Sequence, residues 1–138
     1  MTTAAQKSLP NQMTISRPGD AIYRASPNIG NPPFWAEMLF DSTREGEWTV
    51  MRTVYEPGST PNWHSHPLGQ FLYILSGVAL VQREGGPVVE MRAGDCAWFA
   101  PGERQWHGAA PTSTMSYLSI QGFKDGRYTD WMEPVSKP

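Results

Sequence analysis

The sequence holds one cysteine, three histidines and no basic cluster. A lone thiol excludes an internal disulfide, and the apolar neighbours of Cys96 mark it as a packed core thiol and not a nucleophile. Eleven Lys and Arg against thirteen Asp and Glu give a net charge of −2. That balance leaves no electrostatic footprint for a nucleic acid. No apolar run approaches the roughly 20 residues that a membrane-spanning helix needs. The opening residues, MTTAAQKSLPNQM, lack an apolar segment and a cleavage site, so no signal peptide is expected and the expected location is the cytoplasm. No helix-period stretch of useful length and no internal repeat interrupts this reading.

What the chain does have is turn residues and short apolar runs. Its 138 residues suit one domain, hydrophobic residues at 39% suit a globular one, and thirteen Gly with thirteen Pro suit strands better than helices. Residues 1–12 are polar and pattern-free and read as a flexible tail. From residue 13 onward the chain reads as one domain of about ten short strands, a sandwich or barrel. Expected strands are 13–15, 21–23, 34–40, 47–56, 70–76, 78–83, 87–92, 96–100, 105–109 and 114–121, with a short closing segment at 127–133. Residues 26–33, SPNIGNPP, read as a loop.

The chemistry concentrates in GSTPNWHSHPLGQFLYILSG, residues 58–77. His64 and His66 are two apart, so on a strand their imidazoles project to one side and can share a metal through neutral ring nitrogens. After the turn Pro67-Leu68-Gly69, the Gln70 carboxamide oxygen comes within reach from a neighbouring strand, about 4.8 Å away. The full register is Gly-x5-His-x-His-x3-Gln-x6-Gly. It resembles the first sequence motif of the cupin superfamily, in which Glu usually stands where this chain has Gln70. GDCAWFAPGERQWHGAA, residues 94–110, resembles the second motif. HSHPLGQ, QREGGPV, WFAPGERQWHGAAPTSTM and DWME are similar to small bacterial single-domain cupins that include manganese-dependent hydroxynitrile lyases.

The resemblance implies an all-β jelly roll, a divalent metal in the barrel and a small-molecule substrate. It puts the fourth ligand, normally histidine, at Gln105, eleven residues after Gly94 and three after Gly102. Two ligand sets stay open: His64, His66, Gln70 and Gln105, or the same three with His107, which the pleat puts on the same face as Gln105. A set without a carboxylate leaves the charge of the cation uncompensated and is met by Mn²⁺ through availability, with Fe, Zn or Ni as alternatives, or by no metal at all. In the narrower family a histidine at the place of His107 looks onto the substrate. Histidine also occupies the place of Tyr117, whose phenol is a poor base at neutral pH. His107 and Tyr117 are therefore the catalytic candidates.

Two strands supply the expected substrate wall. Along 114–121, Met115, Tyr117, Ser119 and Gln121 share one face; along 47–56, Met51, Thr53 and Tyr55 share another. With Leu72, the residues Met51, Thr53, Tyr55 and Gln121 are the substrate-binding set. This choice turns Arg52 outward, because inside it would be an unpaired buried cation; the competing arrangement has Arg52 clamping a substrate carboxylate. The Trp48, Val50 and Val54 face then serves as a subunit contact in a homodimer or larger homo-oligomer. Trp63 and Trp106, next to ligand positions, fall outside the pocket. Three functions follow: a lyase on a small hydroxylated or carbonyl substrate, an Fe(II) dioxygenase, and a non-catalytic small-molecule binder.

Overall fold

The computed structural model describes residues 6–19, 22–26 and 28–136. Among them every regular element is a strand, twelve in all: β1 Ile22–Arg24, β2 Gly30–Asn31, β3 Trp35–Phe40, β4 Trp48–Tyr55, β5 Thr60–Pro61, β6 His64–Ser65, β7 Gln70–Arg83, β8 Val89–Arg92, β9 Cys96–Phe99, β10 Gln105–Ala109, β11 Met115–Gly122 and β12 Asp130–Trp131. Ten join one antiparallel sheet in the order β1-β3-β4-β11-β7-β10-β6-β12, with β8 and β9 also on β7. β2 and β5 form a separate two-stranded ribbon. Among the described residues no helix is long and apolar enough to cross a membrane.

One strand, β7, carries four partners. The 14 residues of β7 pair with β11 and β9 over their first half and with β10 and β8 over their second. The change of partners happens at Gly77, whose φ is +77° and where a Cβ would stand 1.8 Å from the Thr114 carbonyl oxygen. Only glycine fits that bend. The two strands expected on either side of Gly77 are thus one bent strand. The inward face alternates as the pleat requires: Leu72, Ile74, Met115 and Tyr55 are fully or almost fully buried, next to Ala79, Val81, Met91 and Phe99. Truncating Leu72 to alanine in such a core costs about 2–5 kcal/mol.

Several expectations change. Residues 13–15 form no strand. Ala21 lies outside the described residues, and the strand expected at 21–23 runs Ile22–Arg24. The 26–33 loop contains β2. Cys96 is exposed: Ala97 and Phe99 take the inner side of β9, so Cys96 and Trp98 alternate outward. Arg52 also points away from the pocket, where its Nη2 lies 2.7 Å from Glu37 Oε2, so it clamps no substrate. Of the expected tail, residues 1–5 lie outside the described residues. The backbone nitrogens of Lys7 and Leu9 donate to Thr43 and Glu47 on the turn before β4.

Candidate metal centre and acid–base site

β6 is held between two strands, with Gln105 of β10 opposite His64 on one side and Trp131 of β12 on the other. The segment before it is stapled by Asn62, whose amide donates to the carbonyls of Asn28 (2.9 Å) and Met132 (3.0 Å). The backbone carbonyl of Asn62 accepts from His64 Nδ1 at 2.8 Å, and that of Tyr128 from His66 Nδ1 at 2.7 Å. A carbonyl oxygen can only accept, so both imidazoles carry their hydrogen on Nδ1 and present an Nε2 lone pair. Anchoring the far nitrogen in this way is how proteins orient histidines toward metals. The two rings are 5.1 Å apart between centroids, and His66 Nε2 is buried with no hydrogen-bond partner. An orphaned lone pair of this kind fits a cation.

Burial keeps these rings neutral. It is the main cause that holds His64 down to about 3, helped by His66 beside it. It holds His66 down to about 4, against the support of the Tyr128 carbonyl and the Gln70 carboxamide. His107 lies well below the ordinary histidine range, through burial first and then its two neighbours. Among the described residues no group of three or more His, Cys, Asp or Glu side chains is placed to hold a metal ion. A cation here needs carboxamide oxygen beside the two imidazoles.

Gly69 supplies the turn that brings Gln70 in. Its φ is +82°, its N–H donates to the His66 carbonyl at 3.1 Å, and a Cβ would meet the Phe99 carbonyl oxygen at 2.7 Å. Gln70 Nε2 donates to Gln121 Oε1 at 3.1 Å, and Gln70 Oε1 accepts from Gln105 Nε2 at 3.1 Å. Gln105 Oε1 accepts from His107 Nδ1 at 2.9 Å. His107 Nε2 lies 3.2 Å from Tyr117 Oη, which is 2.9 Å from Tyr55 Oη. Both nitrogens of His107 are thus engaged by side chains. Burial raises both phenols above the ordinary tyrosine range, Tyr55 most.

Seven of the residues expected from sequence, His64, His66, Gln70, His107, Tyr117, Met51 and Gln121, line one cavity of about 190 Å³. Gln105, Thr53, Tyr55 and Leu72 are buried but do not line it. Trp63, which lies under the Arg104 guanidinium, and Trp106, which donates to Gln82, do not line it either. Sequence reasoning missed the aromatic rim: Tyr23, Phe34, Tyr128 and Trp131, with Trp131 4.6 Å from the His64 ring. The fragment DWME was the one signal available for Trp131.

Gln70 does not come from a strand next to the histidines, since β10 separates β6 from β7, yet His64, His66 and Gln70 line one cavity. The sequence pattern of the cupin domain matches residues 51–121. The chain belongs to the cupin family. Over 83 residues this cupin is 54% identical to the (R)-mandelonitrile lyase of Granulicella tundricola, a match covering 60% of this chain and 63% of that protein. The matched part is therefore less than two thirds of the relative. A cupin-like protein from Thermotoga maritima superposes with a TM-score of 0.76 at 26% identity, covering 93% of this cupin and 92% of that chain. A predicted oxalate decarboxylase from the same organism gives 0.68 at 21%, covering 78% and 96%, a likeness of fold alone.

Proposed function

We propose that this cupin is a metal-dependent lyase that cleaves or forms a small hydroxylated compound of the cyanohydrin class. One observation carries the reading: the Tyr117–His107 hydrogen bond of 3.2 Å lies on the wall of the same cavity into which His64 and His66 turn their free nitrogens. The similarity to a mandelonitrile lyase supports it. His64, His66 and Gln70 would hold a divalent ion, manganese being favoured by availability. When bound, that ion would act as a Lewis acid that lowers the pKa of a substrate hydroxyl.

The remaining work belongs to the chain. The cavity, about 190 Å³, is smaller than the roughly 300–1,000 Å³ of drug-sized pockets and suits a compact substrate. Phe34 and Trp131 give it an aromatic rim against which an aryl group can stack. The substrate hydroxyl gives its proton to Tyr117 Oη as the Tyr117 proton passes to His107 Nε2. The carbon–cyanide bond then breaks, its electron pair leaves with cyanide, the carbinol carbon becomes a carbonyl, and the returning proton makes hydrogen cyanide. The depressed pKa of His107 keeps it in the neutral, accepting form at pH 7.

The test is cyanide release from aryl cyanohydrins by protein loaded with Mn²⁺. Release above the uncatalysed rate, lost in His107→Ala, is the expected result; metal-loaded protein with no release overturns it. A non-catalytic binder is favoured by one specific feature, Gln105 in the usual histidine place and bonded to both neighbours. Protein purified without chelator and free of metal would support that reading. Iron with substrate-dependent oxygen uptake would support a dioxygenase.

A further inference from the structure

A chain of side-chain hydrogen bonds reaches His107 from Thr49, three strands away in the sheet. Thr49 and Gln121 are register partners on β4 and β11. Thr49 Oγ1 donates to the backbone oxygen of Gln121 at 3.3 Å, and that oxygen can only accept. The same hydroxyl therefore meets the Gln121 carboxamide, 2.5 Å away, as an acceptor. The backbone oxygen of Thr49, 3.4 Å from the same carboxamide atom, also calls for a donor. So Gln121 turns Nε2 to Thr49 and Oε1 to Gln70.

Each later link has its direction fixed in turn. Gln70 must give Nε2 to Gln121, which leaves its Oε1 for Gln105 Nε2. Gln105 then has only Oε1 to offer His107 Nδ1, which must carry a hydrogen. His107 Nε2 is left as an acceptor, and Tyr117 Oη donates to it while accepting from Tyr55 Oη. Reversing the chain would set Gln121 Oε1 against the carbonyl oxygen of Thr49. Aligned chains of this kind polarise one another, so the far anchor also strengthens the last bond.

We infer that Gln105 is a positioning residue whose carboxamide, oriented by Gln70 and Gln121, holds His107 in the Nδ1–H tautomer with Nε2 facing Tyr117. In place of an imidazole, this position carries a two-sided link: a donor to Gln70 and an acceptor for His107. The catalytic meaning of the inference rests on the lyase reading; its geometry does not. A methionine at 105 would match the volume and supply neither bond. A glutamate would keep the acceptor for His107 Nδ1 and lose only the donor to Gln70.

The test is long-range ¹⁵N–¹H correlation on chelator-treated, full-length protein labelled at its imidazole nitrogens, with His107 assigned through His107→Gln. The expected wild-type pattern has a protonated, pyrrole-type Nδ1 and a bare, pyridine-type Nε2 at His107. Gln105→Met should average or invert that pattern, and Gln105→Glu should restore it. A wild-type Nε2–H tautomer, or an unchanged pattern in Gln105→Met, overturns the inference. The wild-type spectrum decides even where a variant does not fold. Neither metal nor substrate enters the readout. The predicted tautomer without cyanide release sinks the lyase reading alone, and cyanide release with the opposite tautomer sinks this inference alone.

Discussion

His64 and His66 are bonded to the protein differently from His107, 5.1 Å from the nearer of them. The first two hand one nitrogen each to a backbone carbonyl and keep the other open toward the cavity. His107 has both nitrogens taken by side chains, Gln105 and Tyr117. A carbonyl anchor fixes a ring and leaves its lone pair for a ligand; a side-chain chain spends the lone pair on a neighbouring proton. The three imidazoles share burial and neutrality and still divide into a ligand pair and a proton acceptor. Connectivity separates them, not pKa.

The largest expected effect removes the ligand side. His64→Ala should lower divalent-metal affinity by ~100-fold or more, beyond the 10–100-fold typical of losing a supporting partner, as read by metal analysis and titration calorimetry. Activity that survived without the metal would end the metal-centred scheme. On the other side, His107→Gln or Tyr117→Phe should leave metal content unchanged and reduce cyanohydrin turnover by ~10²–10⁴-fold. Equal loss of metal in these variants would erase the distinction between the two sides.

How much of that division the sequence carried can be judged residue by residue. The His64–His66 spacing, the Gln70 register and the alternation from Met115 to Gln121 follow from the two-residue pleat, and they lead to the all-β fold and to the polar part of the cavity wall that holds His64, His66, Gln70, Tyr117, Ser119 and Gln121. The anchors do not follow. Backbone carbonyls at Asn62 and Tyr128 accept from the histidines, and a carbonyl has no residue signature to read. Cys96 lay beyond reach for another reason: in the run from Cys96 to Ala100 hydropathy alone does not say which face is inward. β2 and β5 are two residues each, too short to show any period. The glutamine chain was invisible because it joins β4, β11, β7 and β10, strands far apart in the sequence that become neighbours only by pairing in the sheet.

Acid sharpens what the imidazoles share. His64 and His66 are held down to about 3 and about 4 in the fold, against an unfolded value near 6.5. Below pH 6.5 the unfolded chain binds more protons. Stability is therefore complete above that pH and is lost as pH falls toward 4 and then 3. Thermal melts of chelator-treated protein should show the midpoint falling between pH 6.5 and 4.5, above the range where carboxylates contribute; a flat midpoint there would contradict neutral burial. The smallest effect is a gain. Gln105→His should raise divalent-metal affinity about tenfold by supplying a third imidazole. Unchanged affinity would place position 105 outside the metal's reach.

The most direct measurement is an anomalous-scattering map from a crystal soaked in Mn²⁺ and collected at the manganese edge. The account predicts one peak in the cavity, within about 2.0–2.3 Å of Nε2 of both His64 and His66 and beside Gln70 Oε1, with none on His107. A peak that His107 ligates, or no peak between His64 and His66, would contradict it.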